Sequence, residues 1–292
     1  MNIIGSQAVL ARIGLTAAFA LGALLGATAA SAGIANTKHN LSTSGTGVHV
    51  STGTEEICVF CHTPHGSDTS APAPLWNKQL PASSYQTYAT LNSSTIDGTI
   101  LSVGSVSLAC LSCHDGTQAM DNIINAPGSG GYTANGGGAG GLAYVWANTG
   151  TNVDATGRMI NSVDGGVGAN IANIGTDLRN DHPIGIQYCG GGPSGTTPTA
   201  ACRDTDFRGA GTGAGDLRNA TINSQLVWWV DAGTTSGSRD KNDMILFTRD
   251  FSGVSGPSVE CATCHDPHQE TNATFLRVSN TGSGVCLSCH VK

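Results

Sequence analysis

The sequence predicts a mostly irregular fold with a few short helices and small β elements. Its composition is the first observation that supports this. The 292 residues include 41 glycines, whereas aromatic residues make up 5% and charged residues 11% of the chain. Chains of this kind form loops and turns and contain little amphipathic helix. Side chains alone therefore supply little of the apolar mass that a stable core requires.

A Cys-x-x-Cys-His motif, which occurs four times, is the second observation. The four copies are Cys58, Cys61 and His62; Cys110, Cys113 and His114; Cys261, Cys264 and His265; and Cys286, Cys289 and His290. They use eight of the ten cysteines, and every Cys-x-x-Cys pair in the chain is followed by a histidine. This is the attachment pattern of c-type haem, in which the two thiols bond the porphyrin edge and the histidine ligates the iron. The sequence therefore predicts four haem c groups.

Cysteine pairs with this spacing can also bind zinc or form disulfides. Cys-x-x-Cys pairs are common in structural zinc sites, and cysteines of exported proteins are often oxidised to disulfides. Neither zinc nor a disulfide requires a histidine directly after all four pairs. Each haem would bury a large flat hydrophobic surface against which irregular backbone can pack. The predicted fold class is therefore a haem-cored multihaem cytochrome, which should fold poorly without its cofactors.

The N-terminal residues 1–32 are expected to be a secretory signal peptide. Arg12 precedes an apolar run over 13–27, and Ala30-Ser31-Ala32 is a typical cleavage site. The run is too short and too rich in alanine and glycine to favour a membrane anchor, and no later segment could span a bilayer. We expect an exported tetrahaem domain over 33–292 with no membrane span after cleavage. The net charge of −7 argues against a nucleic-acid partner.

The segments around the first two motifs carry only weak local signals. Residues 33–56 are polar and are expected to form an extended arm that leads to the first motif. A short helix is predicted over 83–91. Residues 99–108, which precede the second motif, are predicted to be a strand or coil.

Residues 115–260 form a long glycine-rich insertion without an attachment motif. Two runs in it, 226–230 and 244–247, have strand character and are expected to form a small sheet that covers the haems. Cys189 and Cys202, the two cysteines outside the motifs, also lie in this insertion. A disulfide between them is expected in an oxidising compartment, and two free thiols are the alternative.

The second axial ligand of each iron decides whether the iron only carries electrons or also binds a substrate. Five histidines remain after the four motif histidines are assigned: His39, His49, His65, His182 and His268. They suffice for bis-histidine ligation at all four irons. His65 and His268 each follow a motif histidine by three residues and cannot reach the far face of the same macrocycle, so we expect them to ligate other haems. Five candidates exceed four positions, which leaves open whether His39 or His49 is a ligand.

Several further segments, together with the four motifs, carry a resemblance to a known protein family. They are Lys38–Ser42, Glu56–His65, Pro74–Asn77, Cys110–Gly116, Asp181–Pro183, Cys261–His268 and Cys286–His290. With these segments the chain resembles the multihaem c-type cytochromes with doubled CxxCH motifs and, within them, the extracellular tetrahaem cytochrome filament subunits of the OmcE type.

The resemblance implies a subunit that polymerises with identical subunits into an extracellular filament. Such a filament carries electrons along a continuous haem chain to other redox proteins or extracellular acceptors. One iron in each subunit would be ligated by a histidine from the neighbouring subunit. We expect this to be His65, with His39 or His49 as the alternative.

Two further functions compete with the filament. A soluble, monomeric tetrahaem shuttle in the periplasm would use the same ligands but would need no histidine from a neighbour. Neither the filament nor the shuttle is an enzyme. A multihaem reductase would need an open iron position and spare acid or base groups near it. The supply of histidines is large enough to close every iron, which favours electron transfer over catalysis.

Overall fold

We describe the protein from a computed structural model, in which residues 33–128, 130–137, 141–160, 170–233 and 237–291 are described. The expected signal peptide, residues 1–32, lies outside these residues. Most of the described backbone is irregular and is interrupted by short helices and a small antiparallel sheet. The prediction of few short helices and small β elements is confirmed.

Short helices carry or adjoin the Cys-x-x-Cys-His motifs. The α-helices are α1 (Ser105–His114), α2 (Cys261–Cys264) and α3 (Gly284–Cys289). The 3₁₀ helices are Gly33–Asn36, Cys58–Phe60, Tyr88–Thr90, Tyr188–Gly190, Ala273–Phe275 and Thr281–Ser283. None of the helices in the described ranges is long and apolar enough to cross a membrane.

Two of the local predictions were wrong in part. Residues 105–108 belong to α1 rather than to a strand or coil, and only Tyr88–Thr90 of the helix predicted over 83–91 is helical. The first turn of α1 has little helix propensity of its own, because Ser, Val and Ser are all mediocre helix formers. Its buried Ser107 instead bonds Glu260 in a distant segment. Tertiary contacts therefore decide where this helix begins.

A five-stranded antiparallel sheet forms within the glycine-rich insertion. Its strands are β1 (Ile186–Gln187), β2 (Leu217–Ile222), β3 (Gln225–Val230), β4 (Met244–Asp250) and β5 (Ser255–Val259), in the spatial order β1-β5-β4-β3-β2. Trp228 of β3 pairs with Asn219 on one side and with Leu246 on the other. Asn223 and Ser224 both have left-handed φ angles, as a tight two-residue hairpin turn requires. Both predicted strands, 226–230 and 244–247, are confirmed.

Two larger cores and one smaller cluster of buried apolar side chains are present among the described residues, and the smaller cluster consists of Ala71, Trp76 and Ala109. The first core consists of Leu41, Val59, Phe60, Met120, Ile123, Trp146, Val153 and Met159. The second core consists of Tyr188, Cys189, Leu217, Trp228, Val230, Met244, Leu246 and Val259. Both cores draw most of their members from the insertion. The insertion is therefore an integral part of the fold.

The N-terminal segment 33–56 is not the extended arm that its composition suggested. Leu41 is buried in the first core, and Ser51 pairs with Trp146 across an antiparallel bridge. Asn40 closes a tight turn through its side-chain bond to the Ser42 hydroxyl. The polar composition did not predict these contacts, because the segment buries mainly backbone and small side chains rather than large apolar ones.

The expected disulfide between Cys189 and Cys202 is present. Cys189 is buried in the second core, and Cys202 packs against the same cluster. The backbone after Cys202 continues to Phe207, which pairs with His290 of the fourth motif. The disulfide thus anchors the segment that covers the end of the chain.

Lys78 is a fully buried cation in the first half of the chain. Its Nζ donates hydrogen bonds to the carbonyl oxygens of Ala119 (2.9 Å), Met120 (3.3 Å) and Asn122 (3.3 Å). Long charged side chains are rarely buried unless their polar ends are fully paired. Lys78 therefore fixes the turn that follows the second motif.

Replacing Lys78 with methionine is expected to lower the free energy of unfolding by about 1–3 kcal/mol, because three buried carbonyl groups lose their donor. Lys38→Met is the matched control, since Lys38 is exposed and makes a surface ion pair with Glu270. Surface pairs of this kind contribute roughly 0–1 kcal/mol. Guanidinium unfolding followed by far-ultraviolet circular dichroism compares the two variants. Equal midpoints for both would contradict the structural role of Lys78.

Candidate haem-attachment sites

Each Cys-x-x-Cys-His motif forms a single helical turn. The first lies on the Cys58–Phe60 3₁₀ helix, the second ends α1, the third forms α2 and the fourth ends α3. At three motifs the backbone N–H of the histidine donates to the carbonyl of the first cysteine: His62 (2.8 Å), His265 (3.2 Å) and His290 (2.9 Å). Residues three apart on such a turn lie on the same side. Both thiols of a pair can therefore reach one edge of a macrocycle.

The eight motif cysteines are free thiols. Burial raises the pKa of Cys61 to about 12, of Cys264 to about 11 and of Cys289 to about 12. These three thiols are therefore harder to ionise than an exposed cysteine. Within the described residues, no group of three or more His, Cys, Asp or Glu side chains could hold a metal ion.

Backbone carbonyls orient three of the four motif histidines. The Nδ1 atoms of His62, His114 and His265 lie 2.7, 2.6 and 2.8 Å from the carbonyl oxygens of Pro74, Ala172 and Thr274. A carbonyl only accepts hydrogen bonds, so Nδ1 carries the proton and Nε2 is left with its lone pair. This is the usual arrangement of a metal-ligating histidine. The ring of His290 lies 4.2 Å from that of Phe207.

Two motif histidines face a second histidine at a distance that suits one iron. The ring centroids of His62 and His268 are 6.1 Å apart, and those of His114 and His39 are 6.0 Å apart. A metal–imidazole bond is about 2 Å long, so two imidazoles on opposite sides of one metal have centroids roughly 6 Å apart. His39 also has its Nδ1 next to the carbonyl oxygen of Pro267 (3.2 Å). Burial, together with the nearby charge of His114, lowers the pKa of His39 to about 4, so it is neutral, as a ligand must be.

His49 is buried but is engaged elsewhere. Its Nε2 lies 3.3 Å from the side-chain oxygen of Asn170. That oxygen also accepts the Ala172 N–H, and the Asn170 amide group donates to the carbonyl of Asn152, so the amide orientation is fixed. Nε2 of His49 is therefore a donor to Asn170, whereas its buried Nδ1 has no hydrogen-bond partner among the described residues. His49 also lies near His114. Burial also lowers the pKa of His49.

His65 and His182 are exposed. The Nδ1 of His182 lies 3.0 Å from the carbonyl oxygen of Pro183. The backbone carbonyl of His65 accepts hydrogen bonds from Thr63 and Asn125, which fixes the main chain at this position. Neither ring contacts a motif histidine in the described parts of the chain.

Motif cysteines lie at the edges of the two larger cores. Cys61 of the first motif and Cys113 of the second pack against the first core. Cys264 of the third and Cys289 of the fourth pack against the second core. Between the two cores, the hydrogen bond with Cys261 raises the pKa of the Cys110 thiol and joins the second motif to the third.

The segment 74–77 and the carbonyl partners of the motif histidines were not predicted as site residues. Asn77 donates its backbone N–H to Cys61, and Thr63 donates to Leu75, so this segment runs alongside the first motif. The buried Trp76 lies edge-on to His62, with ring centroids 6.1 Å apart. The only sequence signal was the Pro74–Asn77 match. Nothing in the sequence marks Ala172 or Thr274, because only their backbone oxygens take part.

These features fit a covalently bound haem at each motif. The thiols are paired on one turn, three motif histidines have a free Nε2, and two of these face a second histidine at a suitable distance. The residues that would hold haem are the eight motif cysteines and the four motif histidines. His39 and His268 would supply further axial ligands.

Comparison with known proteins gives one family match. The family model described as a doubled CXXCH motif matches residues 256–292, which contain the third and fourth motifs. A search of the curated proteins found no match. Proteins with such motifs bind haem c covalently and are typically exported. The match supports a multihaem c-type cytochrome that functions in electron transfer.

Proposed function

We propose that this protein conducts electrons through four covalently attached haems as a subunit of an extracellular filament of identical subunits. Haem-based electron transfer is supported by the doubled CXXCH match. The observation that carries the proposal further is the pair of histidine couples, His62 with His268 and His114 with His39, spaced for one iron each.

The eight axial positions of four irons can be filled without His49. Four motif histidines and four others make eight axial positions, and the four others are His39, His65, His182 and His268. His49 is left out because its Nε2 is bonded to Asn170. Of His39 and His49, His39 is therefore the better candidate for an axial ligand. Closed irons transfer electrons and leave no position for a substrate.

His268 also links two motifs that are distant in sequence. It lies three residues after His265 of the third motif, yet its ring faces His62 of the first. A side chain of this length brings the haem of the first motif close to that of the third. Cys110 of the second motif is also near both Cys61 of the first motif and Cys261 of the third. The resulting chain of closely spaced haems favours electron hopping from one end of the subunit to the other.

The filament is supported by the two exposed histidines. His65 cannot ligate the iron bound to His62, from which it is separated by two residues, and its ring is exposed. His182 has a carbonyl partner at Nδ1, as the motif histidines do, and suits an iron of its own subunit. His65 is therefore the better candidate for donation to the neighbouring subunit. If no histidine is donated between subunits, the protein is instead the soluble periplasmic shuttle.

Intact mass spectrometry of the exported protein is expected to show the mass of the chain plus four haems. The double variant Cys286→Ala/Cys289→Ala should carry three. Cys189→Ala/Cys202→Ala is the matched control and should retain four, because these two cysteines form a disulfide. A parent protein that carries no haem would refute the proposed function.

Carbon monoxide binding to the reduced protein is expected to distinguish the distal ligands. His268→Ala and His39→Ala should each open one iron and bind one equivalent, because each removes one axial ligand. His49→Ala should bind none. Binding by the His49 variant, or none by the His268 variant, would contradict the ligand assignment. The unmodified protein assembled in filaments should bind none, since His65 of a neighbour closes the fourth iron, and binding by these filaments would instead favour a reductase.

His65→Ala is expected to abolish filaments seen by negative-stain microscopy while haem content is unchanged, because one iron loses the ligand that bridges two subunits. Added imidazole should restore the low-spin spectrum but not the filaments. Thr69→Ala, an exposed change nearby, is the control and should assemble normally. Normal filaments from the His65 variant would rule out donation by His65. A monomeric haem-absorbing peak from the unmodified protein in size-exclusion chromatography would favour the soluble shuttle.

A further inference from the structure

A buried carboxylate joins the helices of the second and third motifs. Glu260, at 1% exposure, directly precedes α2. Its Oε2 accepts a 2.6 Å hydrogen bond from the hydroxyl of Ser107, which lies in α1 three residues before Cys110. The same Ser107 oxygen accepts the backbone N–H of Cys261 at 3.1 Å. One hydroxyl therefore contacts both the carboxylate and the first residue of α2.

The other carboxylate oxygen of Glu260, Oε1, also accepts hydrogen bonds. Oε1 accepts hydrogen bonds from Arg249 Nη1 (2.8 Å) and from the Ser258 hydroxyl (3.1 Å). Arg249 also donates to the carbonyl oxygen of Ser102, just before α1. Glu260 caps α2 through a reciprocal pair of bonds with Thr263. Four contacts thus hold one carboxylate between the two attachment helices.

Burying the Glu260 carboxylate costs free energy, which indicates a role for Glu260 beyond packing. Burial raises the pKa of Glu260, and the bonds from Ser107 and Arg249 oppose that effect. A buried ion pair often contributes little net stability compared with well-packed apolar side chains, but it fixes geometry closely. The geometry fixed here is the packing of α1 against α2, which brings together Cys110 and Cys261, the first cysteines of two different motifs.

We propose that Glu260, through Ser107 and Arg249, is a positioning residue that sets the contact between the haems of the second and third motifs. The inference rests on the proposed function, since it requires haem at both motifs. Because α1 packs against α2, the two macrocycles would be attached at neighbouring points. The two haems would then be coupled electronically, and their coupling would depend on the angle and distance between α1 and α2.

Circular dichroism in the Soret band tests this, because neighbouring haems give a split signal whose amplitude depends on their distance and angle. Glu260→Ala, with four haems retained by intact mass, is expected to lose part of this amplitude. Glu260→Gln preserves the shape and one acceptor oxygen and should retain more of the amplitude. It should also raise the reduction potentials of two haems relative to the other two, because a buried negative charge near them is removed.

Asp177→Asn is the matched control, since it makes the same carboxylate-to-amide change in an exposed pair with Arg179. It should leave the Soret signal and all four potentials unchanged. If Glu260→Ala does not load haem, Ser107→Ala decides the matter, because it removes the link between the helices but leaves the Glu260–Arg249 pair in place. An unchanged signal with unchanged potentials in a fully loaded variant would overturn the positioning role alone. Absence of haem from the second or third motif of the parent would overturn the proposed function as well.

Discussion

The orientation of the motif histidines by backbone carbonyls is the constraint on which the remaining structure depends. Pro74, Ala172 and Thr274 each hold the Nδ1 of one motif histidine. A ring held at Nδ1 can rotate little, so Nε2 points in one direction. The glycine-rich insertion supplies the partner of His114 from 58 residues away. Long irregular segments are therefore needed to bring these oxygens to the motifs.

The two small cores have a related role. Each core packs against cysteines of two motifs, Cys61 with Cys113 and Cys264 with Cys289. Neither core is large, and irregular backbone surrounds both. Haem would add apolar surface at the edge of each core, where these cysteines lie. The protein part of the structure thus sets the positions of the attachment points, and much of the burial is left to the cofactor.

The sequence predicted what depends on local pattern and missed what depends on tertiary contacts. The four motifs, the Cys189–Cys202 disulfide and the strands around Trp228 and Leu246 follow from spacing or from β-branched and aromatic runs. The start of α1 was missed because Ser107 is fixed by Glu260, more than a hundred residues away. The contact between His49 and the Asn170 amide had no sequence signal, because the two residues are 121 positions apart. The role of Glu260 had no sequence signal, since a single glutamate before a cysteine is a common occurrence.

The central claim is that this chain holds a row of closed-iron haems whose ligands come from different segments. The most direct measurement is the structure of the haem-loaded, assembled protein by electron cryo-microscopy. Four haems are expected, with His62 and His268 on opposite faces of one iron and His114 and His39 on opposite faces of another. A haem at the first or second motif with an open face, or with His49 as its ligand, would contradict this claim.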